Sequence, residues 1–228
     1  MAPRPQAFAA RTSGVSFPFL HIITDDAVLA SPDFAARAQA LVRSGGASTA
    51  LHVRGQATPG HRLYSLVVRL SAAARESGGW LLVNDRVDVA LATGADGVQL
   101  GYRSLPVGAV RALWPDAKIG ASVHDAYEAG TAVEQGTDFV VLGTIYTTTS
   151  HPGIVAGGAA LVRSVARAQK VPVVAIGGIM PERVQELVEA GARGIAVRGN
   201  IWSAPDPVAR MVSLIEAWSE ANGKRTHT

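Results

Sequence analysis

The 228-residue sequence contains no cysteine, which excludes disulfide bonds and thiolate metal sites. Charged residues make up only 17% of the chain, and the basic residues behind its net charge of +3 are scattered rather than gathered in a run. This pattern disfavours a disordered chain and a nucleic-acid partner. No stretch approaches the roughly 18 consecutive apolar residues of a membrane span, so we expect a cytoplasmic protein without a membrane partner.

The chain is predicted to form one domain between two loose ends. Residues 1–16 lack the continuous apolar centre of a signal peptide and are predicted to be a disordered tail. Residues 17–222 contain no linker-like segment and are predicted to fold as a single unit. Residues 223–228 are predicted to be a frayed end.

Eight short apolar runs recur along the chain, and each is followed by a helix-like amphipathic segment. Many of the runs contain β-branched residues and end at glycine or a polar residue, as strands buried on both faces do. The predicted strands cover residues 19–23, 50–53, 80–83, 97–100, 119–123, 139–143, 171–177 and 194–198. This series predicts an α/β fold, a single-domain (β/α)8 TIM barrel, with a doubly wound open sheet as the rival.

Glycine-rich loops follow the last two predicted strands. Barrels of this kind place their active sites where strands end, and they often bind phosphate after strands seven and eight. Glycine lets backbone N–H groups approach an anion closely, and a helix start adds partial positive charge. We therefore predict phosphate binding by Gly177, Gly178, Gly199 and Asn200. The alternative is that these glycines only form tight turns.

Two further strand ends carry residues suited to chemistry. His124 follows the fifth predicted strand, and histidine is the side chain best suited to proton transfer near neutral pH. Its alternative is a surface residue that starts a helix. Arg54 could grip a carboxylate or phosphate, or it could pair with Asp25 or Asp85. His52 is either a substrate ligand or a hydrogen-bonded core residue.

The sequence offers little for a metal ion. Asp85 suggests a magnesium ligand, but the next strand end carries Ser104 where a second acid would strengthen the site. A lone aspartate is more often a cap or an ion-pair partner, and the six histidines show no metal-ligand spacing. We therefore predict no metal and no cofactor.

Six segments resemble the thiamine phosphate synthase superfamily in order and spacing, from about His21 to Ile201. They are HIITD, LLVNDRVDVALATGADGVQLG, IGASVHDAYEA, VVLGTIYTTTSHPG, PVVAIGGI and GIAVRGNI. In one branch of this superfamily, synthases join a pyrimidine diphosphate to a thiazole phosphate with Mg²⁺. In the other, TenI-type tautomerases aromatise a carboxythiazole phosphate without a metal.

The departures from the synthase pattern point to the second branch. Where synthases typically read Gln-x-Arg-x-Lys, the chain has His52, Arg54 and Gln56. The second magnesium-binding aspartate becomes Ser104, and the lysine after the threonine-rich loop becomes His151. Losing one carboxylate and two cations is expected to impair ionisation of the diphosphate. The segments LGYRS and SVH look like the tautomerase branch, so the resemblance implies a metal-independent thiazole tautomerase, TenI-like, in thiamine biosynthesis.

By the same resemblance, His124 is the acid and base of an isomerase, and the substrate is a thiazole phosphate carboxylate. The implied substrate-binding residues are His52, Arg54, Asn84, Asp85, Gln99, Ser122, Thr148 and Ser150. The family also suggests a homodimer. Three alternatives remain: a synthase that tolerates the substitutions, a non-catalytic thiazole phosphate-binding or regulatory protein, and a phosphosugar isomerase or epimerase.

Overall fold

The protein is a closed barrel of eight parallel strands that pair in chain order, with the eighth strand returning to the first. The structure is a computed structural model that describes residues 17–148 and 155–225. Strands β1 to β8 are Leu20–Ile23, Thr49–Val53, Trp80–Asn84, Gly97–Leu100, Lys118–Val123, Phe139–Leu142, Val173–Ile176 and Gly194–Val197. Each lies within or within one residue of a predicted strand, so the predicted barrel is confirmed and the open sheet is excluded.

Helices surround the barrel and connect its strands. Helices α1 to α10 are Asp26–Ala30, Phe34–Gly45, Gly60–Ser77, Val87–Thr93, Val107–Leu113, Ala126–Glu134, Gly158–Ala168, Val184–Glu189, Gly199–Trp202 and Pro207–Arg225. The last helix continues beyond residue 222, where the sequence predicts the domain to end. The predicted tail, residues 1–16, lies outside the described residues, as do residues 226–228. Within the described ranges, no helix is both long enough and apolar enough to cross a membrane.

Two apolar clusters fill the domain because alternate strand residues face opposite sides of a barrel. The larger cluster lies between the strands and the helices. The smaller one fills the barrel interior, and its lower end is a group of aromatic rings. The ring centroid of Phe17 lies 5.7 Å from that of Trp80 and 5.6 Å from that of Phe139. These rings form a floor, so the site chemistry belongs to the opposite end of the strands.

Two fully buried histidines lie between this floor and the strand ends. His21 Nε2 lies 3.0 Å from the Pro18 carbonyl oxygen, and His21 Nδ1 lies 2.8 Å from His52 Nε2. Because a carbonyl only accepts, His21 Nε2 donates to Pro18, and His21 Nδ1 accepts from His52 Nε2. Burial lowers the pKa of His21 to about 3 and holds the pKa of His52 well below its usual value. Both rings are therefore neutral.

Candidate active site

A cavity of about 720 Å³ opens at the carboxyl ends of the strands, within the range of small-molecule sites. The structure brings most of the predicted site residues to its wall. These are Arg54, Asn84, Asp85, Gln99, Ser122, His124, Thr148, Gly177, Gly178, Gly199 and Asn200. Ser150 and His151 lie outside the described residues. The position of these residues at the ends of the strands therefore predicted correctly where the cavity lies.

His52 is the exception among the predicted site residues. Its side chain is fully buried and bonded to His21, and it does not line the cavity. The prediction of His52 as a substrate ligand is wrong, and the core alternative describes it. Alternation along β2 places His52 and Arg54 on the same inward face, but His52 lies one layer deeper in the barrel.

The loop after β7 needs glycine for reasons of backbone geometry. Gly177 has φ 109° and Gly178 has φ 61°, which is the region that side chains disfavour. A Cβ on Gly177 would also lie 2.7 Å from Thr144 Cγ2, and one on Gly178 would lie 2.5 Å from the Thr147 carbonyl oxygen. The need for a tight turn therefore explains why both residues are glycine. Both also line the cavity, so phosphate binding by their backbone stays a prediction.

The loop after β8 differs, because its glycine borders open space. A Cβ on Gly199 would meet no atom within 4 Å, so a ligand can approach this backbone from the cavity. Gly199 and Asn200 form the first turn of α9, where backbone N–H groups lack helical partners. The Asn200 side chain donates to the Ile179 carbonyl oxygen at 2.9 Å and joins the two loops. Phosphate binding at these two residues also stays a prediction.

Amide side chains form part of the opposite wall. Gln99 Nε2 donates to Ser122 Oγ at 2.9 Å, and Asn84 lies beside His52. Gln99 Oε1 and Asn84 Oδ1 are buried acceptors with no hydrogen-bond partner in the described part of the chain. His52 Nδ1 is a third such atom, and Gln99 Oε1 lies over Gly120 on the neighbouring strand. All three atoms are shielded from solvent, so they belong to the polar layer beneath the cavity wall.

Arginines dominate the charge at the β2 and β4 side of the cavity. The Gln56 amide, with its oxygen turned towards the guanidinium groups, accepts from Arg54 Nη2 at 2.7 Å and from Arg103 Nη2. Burial is the main cause that lowers the pKa of Arg54, followed by the charge of Arg198. Arg198 Nε lies 3.7 Å from Asp25 Oδ2. The sequence analysis missed Gln56, Arg103 and Arg198 as site residues, although each lies at or just after a strand end.

The single acid among the described residues of the cavity wall is Asp85, which has a left-handed backbone with φ 62°. Its Oδ1 accepts a short hydrogen bond from Ser104 Oγ, which in turn accepts from the Gly101 backbone N–H at 2.8 Å. Ser104 thus occupies one carboxylate oxygen of Asp85. Asp85 also carries a favourable electrostatic interaction with Arg54.

These residues do not fit the magnesium site that the synthase branch implies. Mg²⁺ prefers oxygen ligands and is usually held by one or two carboxylates together with substrate phosphates. Here one carboxylate is available, one of its oxygens is already bonded, and arginines lie beside it. Across residues 17–148 and 155–225, no group of three or more His, Cys, Asp or Glu side chains could hold a metal ion.

His124 lies on the rim of the cavity rather than inside it. Its side chain is 68% exposed, and its Nδ1 lies 2.9 Å from Glu128 Oε2. The His124 backbone N–H donates to the same oxygen at 2.8 Å. His124 therefore combines the two interpretations of the sequence: it lines the cavity, and it is a surface residue tied to the following helix.

Comparisons with known proteins identify the family. A family model described as thiamine monophosphate synthase matches residues 20–201. The thiamine-phosphate synthase of Salinispora arenicola is 38% identical over 200 residues, covering 87% of this chain and 96% of that protein. The thiamine biosynthesis bifunctional protein ThiM/ThiE of Symbiobacterium thermophilum is 46% identical over 160 residues, which are 68% of this chain but only 33% of that protein.

A solved structure agrees with the sequence relatives. The thiamine phosphate pyrophosphorylase of Pyrococcus furiosus superposes with a TM-score of 0.78 at 31% identity, covering 89% of this chain and 96% of that chain. The relatives carry the synthase name, so the predicted TenI-type tautomerase, and with it the isomerase class, is wrong. The prediction gave the loss of three charged groups more weight than the similarity that extends over the whole barrel.

Proposed function

Since this chain belongs to the thiamine monophosphate synthase family, we propose that it is a transferase of thiamine biosynthesis. It joins a thiazole phosphate to a pyrimidine diphosphate and releases diphosphate. The observation that carries the proposal is that one cavity is lined by two kinds of group suited to anions. Arg54 and Arg103 follow β2 and β4, and the loop with Gly199 follows β8.

Two kinds of anion-binding group match two phosphorylated substrates. The β2 and β4 side carries fixed positive charge and suits the diphosphate, which has more negative charge to balance. The β7 and β8 side offers backbone N–H groups and suits the monophosphate. The polar side chains of Asn84, Gln99 and Ser122 line the same cavity and suit the polar edge of an aminopyrimidine.

The reaction needs charge stabilisation more than proton transfer. The thiazole ring nitrogen forms a C–N bond to the methylene carbon of the pyrimidine while the C–O bond to diphosphate breaks. The electron pair of that C–O bond leaves with the diphosphate, and no proton is transferred. Donors and cations fixed around the leaving group are therefore the main contribution that this chain can make. We assign that role to Arg54 and Arg103, whose guanidinium groups both donate to Gln56.

Incubation of the full-length protein with both substrates tests the proposal. Thiamine phosphate, detected after oxidation to its fluorescent thiochrome, is expected to form in a buffer with Mg²⁺ or in one with EDTA. An Arg69→Gln variant, which removes one exposed positive charge on α3 away from the cavity, serves as a control and should keep full activity. Absence of product in both buffers would refute the synthase proposal.

The exposed position of His124 gives a separate prediction. A general base normally contributes about 10²–10⁴-fold to a rate, but this condensation transfers no proton. We therefore expect His124→Gln to keep kcat/KM for thiamine phosphate formation within about threefold of the original protein. Steady-state kinetics with both substrates checks this. A loss of a hundredfold or more would return His124 to the chemistry and contradict a condensation without proton transfer.

A further inference from the structure

We propose that Arg54 and Arg103, bridged by Gln56, bind the diphosphate group without a divalent metal ion. The inference rests on the proposed function, since it assigns one of the two substrate groups to this side of the cavity. It also follows from the poor fit between the residues of this wall and Mg²⁺. The ligand class is an organic or inorganic diphosphate, which both guanidinium groups can bind through paired N–H donors.

The Gln56 bridge holds two like charges in one place. Its amide oxygen accepts from Arg54 Nη2 at 2.7 Å and from Arg103 Nη2, so both guanidinium groups converge on one point beside the cavity. Two guanidinium groups repel each other, and an amide oxygen compensates them only partly because it carries no net charge. An anion with several oxygens completes such an arrangement. Tyr102 supports it, because the Arg103 guanidinium lies 5.4 Å from its ring centroid.

The nearby carboxylates are engaged elsewhere. Asp26 accepts from the backbone N–H groups of Gln56 and Ala57 and from the Thr58 hydroxyl, so it holds the loop behind the arginines. Asp25 accepts from the Val28 backbone N–H at the start of α1. Both aspartates act electrostatically on Arg54, and Asp25 lies near Arg198, but neither aspartate lines the cavity.

Ser104 is the position where this wall departs most from a metal site. An aspartate there would set two carboxylates side by side and create a place for a cation. The serine hydroxyl instead donates to Asp85 and removes the need for a cation at that carboxylate. Replacing the acid by serine and keeping two arginines makes the wall more positive, which favours a diphosphate in the absence of metal.

Calorimetric titration of inorganic diphosphate into the full-length protein tests the inference independently of turnover. We expect binding in EDTA, with a Kd within about threefold of the value in Mg²⁺. Arg103→Gln is expected to raise the Kd in EDTA about tenfold, since it removes charge-assisted hydrogen bonds. The control Arg69→Gln removes the same charge from α3 and should change the Kd by no more than about twofold.

A variant that is expected to need Mg²⁺ for diphosphate binding provides a second test. Ser104→Asp is expected to weaken binding of inorganic diphosphate in EDTA about tenfold and to recover when Mg²⁺ is added, because two adjacent carboxylates repel the ligand until a cation binds. Thermal melting confirms that each variant is folded. Diphosphate binding that needs Mg²⁺ in the original protein would overturn the inference, as would an unchanged Kd in Arg103→Gln.

The two proposals fail in distinguishable ways. If thiamine phosphate forms but diphosphate binds only with Mg²⁺, the metal-independent site is wrong and the synthase proposal stands. If diphosphate binds in EDTA and depends on Arg103 but no thiamine phosphate forms, the anion site stands and the synthase proposal is wrong. The titration and the product assay therefore report on separate claims.

Discussion

Lowering the pH from 7 to 5 is expected to reduce the free energy of unfolding by about 2 kcal/mol through His21, and His52 lowers it further in the same direction. Burial depresses the pKa of both rings in the folded protein, whereas each titrates near its usual value of 6.5 when unfolded. Between those values the unfolded chain binds protons that the folded chain does not. The stability is therefore fully present above pH 6.5 and is lost as the pH falls towards 3.

Urea unfolding at pH 5, 6 and 7 measures this loss. His52→Asn removes one of the two rings and is expected to make the pH-dependent loss of stability smaller, whatever the substitution costs at pH 7. His61→Gln on α3 is the matched control, because it removes an exposed histidine ring rather than a buried one. A slope that is the same in His52→Asn and in the original protein would contradict the neutral, buried pair.

Replacing Gly97 by alanine is expected to lower the free energy of unfolding by about 3 kcal/mol or more, the upper end for overpacking. Gly97 starts β4 and pairs with Lys118 of β5. A Cβ there would lie 1.9 Å from the Lys118 carbonyl oxygen and 2.7 Å from its backbone nitrogen. These atoms belong to the neighbouring strand, so only a shift of the barrel wall can relieve the clash.

Gly223→Ala provides the comparison for this substitution. Gly223 lies in α10, and a Cβ there would meet no atom within 4 Å. Alanine is favoured over glycine inside a helix, so this variant is expected to gain about 0.5–1 kcal/mol. Chemical unfolding of both variants compares a crowded glycine with an uncrowded one. Equal stabilities for the two would show that the barrel wall at Gly97 adjusts freely.

The sequence predicted the fold well because the strands are buried on both faces. Their apolar runs are interrupted at regular intervals by glycine and polar residues, and the order of eight units leaves few alternatives. The same reasoning located the cavity, since side chains such as Arg54 and Gln99 come directly at the strand ends. The alternation of side chains along β2 predicted which residues face the barrel interior, but not how deep in the barrel each of them lies. For this reason His52 was wrongly predicted to bind substrate.

The electrostatics of the site depends on contacts between loops that are distant in the sequence, and no local sequence pattern predicts such contacts. Gln56 joins Arg54 to Arg103, which belong to loops after different strands. From the sequence, Ser104 was interpreted as a lost metal ligand and therefore as a sign of another reaction. In the structure the Ser104 hydroxyl donates a hydrogen bond to Asp85, so the two residues still form one part of the cavity wall. A few substitutions at a site therefore predict the family branch less well than similarity along the whole barrel does.

The aromatic rings of Phe17, Trp80 and Phe139 plug the barrel at the end opposite the cavity. With the buried His21 and His52 above them, they leave no passage along the axis of the barrel that the described strands form. Any small molecule that binds in the cavity therefore enters and leaves by the same side, past the loops that follow the strands.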